Sequence, residues 1–112
     1  MTRKWIFLIS LSLTVACAST KKERDEAVLH AQLGASYFTQ KQFTLALREL
    51  TAAEQLDPKN AMIQNDLALV YFVKEKYVEA ESHLLKALDL NPKYSEARNN
   101  LGRLHIEMGK FD

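Results

Sequence analysis

The side chains of this sequence that could take part in chemistry are three histidines and several serines. His30, His83 and His105 lie far apart in the chain, and no two of them have the spacing with which paired histidines bind a metal. Ser36 and Ser82 lie outside any nucleophile motif, and the sequence has no glycine-rich phosphate loop. We therefore predict no enzymatic activity, no metal, no cofactor and no small-molecule substrate within these residues.

Composition limits the class of protein further. The 112 residues carry 15 Lys+Arg and 14 Asp+Glu, so the chain has no basic surplus with which to bind nucleic acid. From residue 17 onward it contains 26 Ala or Leu and only ten Val, Ile or Thr. This balance favours helices over strands, and we predict an all-α fold.

The N-terminus has the pattern of a secretory signal peptide. Arg3 and Lys4 precede an apolar run over residues 5–15. As a helix, these eleven residues would span about 16 Å, roughly half of a membrane's hydrocarbon core. The run is therefore too short for a transmembrane anchor, and we assign residues 1–16 to a signal peptide.

Cys17 is the only cysteine of the chain and directly follows Ala16. This junction resembles the bacterial lipoprotein signal, although Leu13 lies one position earlier than that family usually has its leucine. The resemblance implies cleavage before Cys17, lipidation of its thiol and amine, and anchoring to a membrane. Because Ala18 rather than Asp follows the cysteine, it also implies the periplasmic face of the outer membrane as the location.

A repeat begins after a short polar stretch. Residues 17–26 comprise the lipidated cysteine and a predicted tether and helix entry, rich in charged side chains. Beyond it, Pro58 and Pro92 are 34 residues apart, and an ungapped alignment of residues 27–60 on 61–94 gives ten identities. Proline lacks an N–H and disfavours helix in the residue before it, so each proline is expected to end one unit.

The period and its pattern resemble the tetratricopeptide repeat family, whose unit is a helix–turn–helix of 34 residues. Gly34 and Ala68 occupy the same position of successive units, where a small residue lets the second helix approach closely. The resemblance implies a right-handed helical solenoid over residues 27–112, with repeats at 27–60 and 61–94 and a partial repeat at 95–112. The partial repeat has a first helix only, so we expect either a fragment of a longer protein or a chain that borrows a partner's helix.

In this family the first helices line a concave groove. The resemblance places an apolar strip there, with asparagine and arginine side chains at one end, and Ala31 and Ala35 replace polar residues with which chaperone-binding members clamp a carboxylate. We therefore expect the groove to bind an apolar peptide or an amphipathic helix of a protein partner. The predicted peptide-binding residues are Phe38, Met62, Asn65, Leu69, Phe72, Val73, Asn99 and Arg103.

The lipidated cysteine, the tether and the residues from Arg24 to Gly34 together resemble the pilotin lipoproteins of type IV pilus biogenesis. That resemblance implies a partner in the secretin, whose localisation to the outer membrane and assembly pilotins assist. Two alternatives stay open at this point. One is a periplasmic repeat lipoprotein that scaffolds cell-envelope enzymes, and the other is the N-terminal part of a larger enzyme.

Overall fold

The computed structural model of the protein describes residues 18–110, which form five α-helices and no strand within that range. The predicted signal peptide, Cys17 and the last two residues lie outside the described part. The helices are α1 (Lys21–Thr39), α2 (Phe43–Leu56), α3 (Ala61–Val73), α4 (Tyr77–Leu90) and α5 (Ser95–Glu107). They form two helix hairpins, α1 with α2 and α3 with α4, followed by α5. The predicted all-α solenoid is confirmed.

Helix α1 begins at Lys21, within the stretch that the sequence predicts to be a tether and helix entry. The Thr20 side chain accepts a hydrogen bond from the Glu23 N–H at 3.2 Å, and the Glu23 carboxylate accepts one from the Thr20 N–H at 2.6 Å. This capping box satisfies two backbone donors that would otherwise be free at the start of the helix. The Ser19 hydroxyl also donates to the Leu56 carbonyl oxygen at 2.6 Å, which attaches the segment to the end of α2.

Small residues let the two helices of each hairpin approach closely. A Cβ built on Gly34 would lie 2.7 Å from Leu50 Cγ and 3.3 Å from the Ala46 carbonyl oxygen, so only glycine fits there. Ala46, Leu50 and Ala53 of α2 are buried against α1 and α3. Ala80, Leu84 and Ala87 of α4 form the corresponding core of the next hairpin. The repeat therefore specifies the packing as well as the helices.

The turn within each hairpin contains a residue with left-handed backbone conformation. Lys41 has φ 60° and Glu75 has φ 59°, and Gly109 has φ 70° at the corresponding point after α5. Among these three, only glycine adopts this conformation without a steric penalty. Between hairpins, Asn60 caps α3 by accepting hydrogen bonds from the N–H groups of Met62 and Ile63. These turns bring α1, α3 and α5 side by side.

Candidate functional site

The side of the molecule formed by α1, α3 and α5 carries exposed apolar side chains. Met62 is 46 % exposed and Val73 is 43 % exposed, at opposite ends of α3. Between them lie Leu69 and Phe72, both half-buried. Such side chains gain free energy when a partner covers them, so this surface can bind an apolar segment.

Each predicted phenylalanine of the strip packs against the next helix of its own hairpin. The ring of Phe38 lies 5.5 Å from the ring of Phe43, edge to face, and the ring of Phe72 lies 5.8 Å from that of Tyr77. Both phenylalanines are therefore partly used to hold α1 to α2 and α3 to α4. Both phenylalanines are half-buried and lie on the first helix of their hairpin.

A small pocket lies beside Phe72, between α3 and α5. Its volume is about 10 Å³, the room of roughly one water molecule. The Arg103 guanidinium carbon lies 5.7 Å from the centre of the Phe72 ring, which is within the range of a cation–π contact. The lining residues are Ala68, Leu69, Phe72, Leu84, Asn100 and Arg103.

The two asparagines predicted to contact a ligand have different surroundings. Asn99 is exposed on α5, where a ligand can reach it. Asn65 is 0 % exposed. Its amide oxygen accepts a hydrogen bond from Asn100 at 2.9 Å, and its amide nitrogen donates to Glu96 at 3.3 Å. Asn65 therefore lies beneath the surface and joins α3 to α5, and a ligand cannot touch it while this network is intact.

Sequence reasoning missed Asp66, the next residue along α3. Met62, Asp66, Leu69 and Val73 follow one another at spacings of four, three and four residues, so they share one face of the helix. Burial raises the pKa of the Asp66 carboxyl to about 6, and the neighbouring Glu96 carboxylate adds to the rise. The spacing from Met62 was the signal that could have identified Asp66 as a member of the strip.

The three histidines join helices through hydrogen bonds. His30 contacts Glu49 at 2.7 Å, and His105 contacts Glu81 at 2.8 Å. His83 contacts the Gln64 amide oxygen at 2.7 Å and stacks on the Tyr71 ring at 5.3 Å. Burial lowers the pKa of His83.

Within residues 18–110, no group of three His, Cys, Asp or Glu side chains could hold a metal ion. No helix of that range is both long and apolar enough to cross a bilayer.

The comparison with family models finds a tetratricopeptide repeat over residues 31–95 and a second tetratricopeptide repeat match over residues 83–112. The chain belongs to the tetratricopeptide repeat family. The strip thus lies on the first helices of the repeats of a tetratricopeptide solenoid. Repeats of this family are typically interaction scaffolds without catalytic activity. The comparison with curated proteins finds no match.

Solved structures with a similar fold include the second TPR of Spaghetti (RPAP3) bound to the HSP90 peptide SRMEEVD. It is 26 % identical, with a TM-score of 0.75, and the match covers 80 % of this chain and 82 % of that one. The N-terminal domain of stress-induced protein-1 from C. elegans is 24 % identical, with a TM-score of 0.72 and coverage of 81 % and 77 %. The Arabidopsis OM64 TPR domain is 19 % identical, with a TM-score of 0.76 and coverage of 79 % and 73 %. The similarity to the C. elegans and Arabidopsis domains shows the helical repeat fold.

Proposed function

We propose that this protein is a membrane-anchored scaffold that binds a segment of another protein in the groove formed by α1, α3 and α5. The observation that carries the proposal is the apolar strip along α3, where Met62 and Val73 stay exposed on either side of the pocket at Phe72. The similar Spaghetti structure is bound to a peptide, which supports a peptide as the occupant here.

A pair of valine substitutions tests the groove. Val73→Asp places a charge in the strip, and Val78→Asp places one on α4, outside it; the two valines are 43 % and 72 % exposed, so neither change should unfold the protein. The probe is a phage-displayed library of random linear peptides selected on the wild-type protein. The Val73→Asp variant should lose the selected peptides, and the Val78→Asp variant should retain them.

A Met62→Asp variant tests peptide binding at the other end of α3 and should also lose the selected peptides. Equal binding by all three variants and the wild type would overturn the groove proposal, as would a library from which no peptide is enriched. Circular dichroism on each variant establishes that it is folded before binding is compared.

We further propose that the scaffold is attached to the periplasmic face of the outer membrane through lipid on Cys17. The support is the resemblance of residues 1–18 to a lipoprotein signal. Cys17→Ser should release the protein from membranes in cell fractionation, whereas Ser19→Ala should leave it attached. Continued attachment of the Cys17→Ser variant would contradict lipidation.

For the partner, we propose a secretin subunit of a type IV pilus system, as in the pilotins that residues 17–34 resemble. The proposal predicts that deletion of the gene reduces secretin multimers and twitching motility in the source organism. Normal multimers and motility in the deletion strain would refute the pilotin role and leave a periplasmic scaffold with another partner.

A further inference from the structure

Two carboxylates border the apolar strip of the groove. Asp66 lies on the same face of α3 as Met62 and Val73, and Glu96 lies in the first turn of α5, exposed to solvent. Asn65, the residue before Asp66, donates a hydrogen bond to the Glu96 carboxylate at 3.3 Å, and the negative charge of Glu96 raises the pKa of Asp66. The groove therefore has an acidic side at Asp66 and Glu96, and the cation at its Phe72 pocket is Arg103, 5.7 Å from the ring centre.

Among residues 18–110, neither of these carboxylates forms an ion pair, whereas some other carboxylates of the domain do. Glu54 and Glu81 each lie within 4.0 Å of a lysine ammonium nitrogen. None of the ion pairs formed among residues 18–110 includes Asp66 or Glu96. Like charges held together without a counter-ion cost free energy, which a cation arriving from a partner would recover.

A hydrogen-bond network connects the acidic side to the pocket. Asn100, which lines the pocket, donates to Asn65 at 2.9 Å, and Asn65 donates to Glu96 at 3.3 Å. Both asparagines are largely buried, with 9 % and 0 % exposure, so their positions are fixed by packing. The network holds the Glu96 carboxylate at a set place relative to the apolar pocket at Phe72.

We propose that the groove binds a peptide segment in which an apolar side chain is flanked by a lysine or arginine, the apolar side chain packing at Phe72 and the cation pairing with Asp66 and Glu96. This inference rests on the proposed peptide-binding function and adds the chemistry of the ligand. Beside Asp66 and Glu96, charge complementarity favours a basic side chain over an acidic one, because an acidic side chain there would face two carboxylates.

The peptide library of the groove experiment also tests this inference, through the composition of the selected sequences. Lysine and arginine next to apolar residues should be enriched on the wild-type protein. Peptides selected on an Asp66→Asn/Glu96→Gln double variant should still be enriched in apolar residues but not in basic ones. The matched control is Glu79→Gln/Asp89→Asn, which removes two exposed carboxylates from α4 and should select the same peptides as the wild type.

Affinities provide the quantitative reading. A selected basic peptide, measured by fluorescence anisotropy, should bind the double variant about tenfold more weakly, as expected for a lost charge interaction of about 1.4 kcal/mol. Its affinity for the wild type should fall with added salt. The peptide SRMEEVD, which the similar Spaghetti domain binds, should bind this groove no better than a scrambled version of itself.

The outcomes separate the two proposals. Selected peptides that lack basic residues but still depend on Val73 would overturn this inference and leave the groove function standing. Peptides that bind the Val73→Asp variant as well as the wild type would overturn both. Self-association of the protein that the double variant abolishes would assign the groove to a second copy of the chain and contradict a foreign segment.

Discussion

The half-buried carboxyl of Asp66 gives the sharpest test of the electrostatics of the groove. Its ordinary pKa is 3.8, and in the folded protein burial and Glu96 raise it to about 6. Between these two values the folded state binds more protons than the unfolded state. The contribution of Asp66 to the free energy of unfolding is therefore most favourable below pH 3.8, its ordinary pKa, and it is lost as the pH rises through about 6.

Above that range the charge on Asp66 destabilises the fold. The rise in pKa corresponds to at most about 3 kcal/mol. Because Asp66 is only partly buried, solvent screens part of this unfavourable energy, and we expect the charge to destabilise the fold by about 1–2 kcal/mol. Asp66→Asn keeps the shape of the side chain and removes the charge. The variant should thus be more stable than the wild type by about 1–2 kcal/mol at neutral pH.

The assay is urea denaturation followed by circular dichroism, at neutral pH and near pH 4. The advantage of the Asp66→Asn variant should shrink to below about 1 kcal/mol at the acidic pH, where folded Asp66 is already neutral. Asp89→Asn, an exposed carboxylate on α4, is the control and should change stability little at either pH. An equal gain at both pH values, or a loss at neutral pH, would refute a raised pKa of Asp66 in the folded protein.

Three further predictions concern the helices that position the groove. Gly34→Ala should destabilise the protein by about 1–3 kcal/mol, because the added carbon would lie 2.7 Å from Leu50 Cγ. Gly102→Ala should stabilise it by up to about 1 kcal/mol, because the added carbon would have no neighbour within 4 Å. Thermal melting of the two variants checks both predictions. Glu75→Gly should raise stability by about 0.5–1 kcal/mol, since φ at this turn is 59°, and unchanged or lower stability in the same melt would contradict the strain. Thr20→Ala should cost about 1 kcal/mol through loss of the capping box, and hydrogen exchange should show faster fraying at the start of α1; unchanged exchange there would count against the cap.

The sequence predicts the repeat and its packing well because both follow from residue size and spacing. Gly34 is an instance: its position in the unit predicted a close helix contact, and the structure has one with Leu50. The start of α1 was less predictable. Composition alone shows a charged stretch, and the helix depends on a specific pair, Thr20 and Glu23, bonded to each other.

The polar side of the groove could be predicted only in part. Asn65 and Asp66 are adjacent, and neighbouring positions on a helix point about 100° apart, so family positions alone do not decide which of them a ligand meets. The contacts of α3 with α5 decide it. Asn65 is drawn beneath the surface by Asn100 and Glu96, and Asp66 is left on the face of Met62. Hydrogen bonds between side chains of different repeats, such as that of Asn65 with Asn100, cannot be predicted from the pattern of a single repeat.

The most direct measurement of the central claim is the mapping of a selected peptide on the protein by backbone amide NMR. We expect chemical-shift changes to concentrate on α1, α3 and α5, with the largest around Leu69, Phe72 and Val73. Changes concentrated on α2 and α4, with these residues unaffected, would contradict the groove as the binding site.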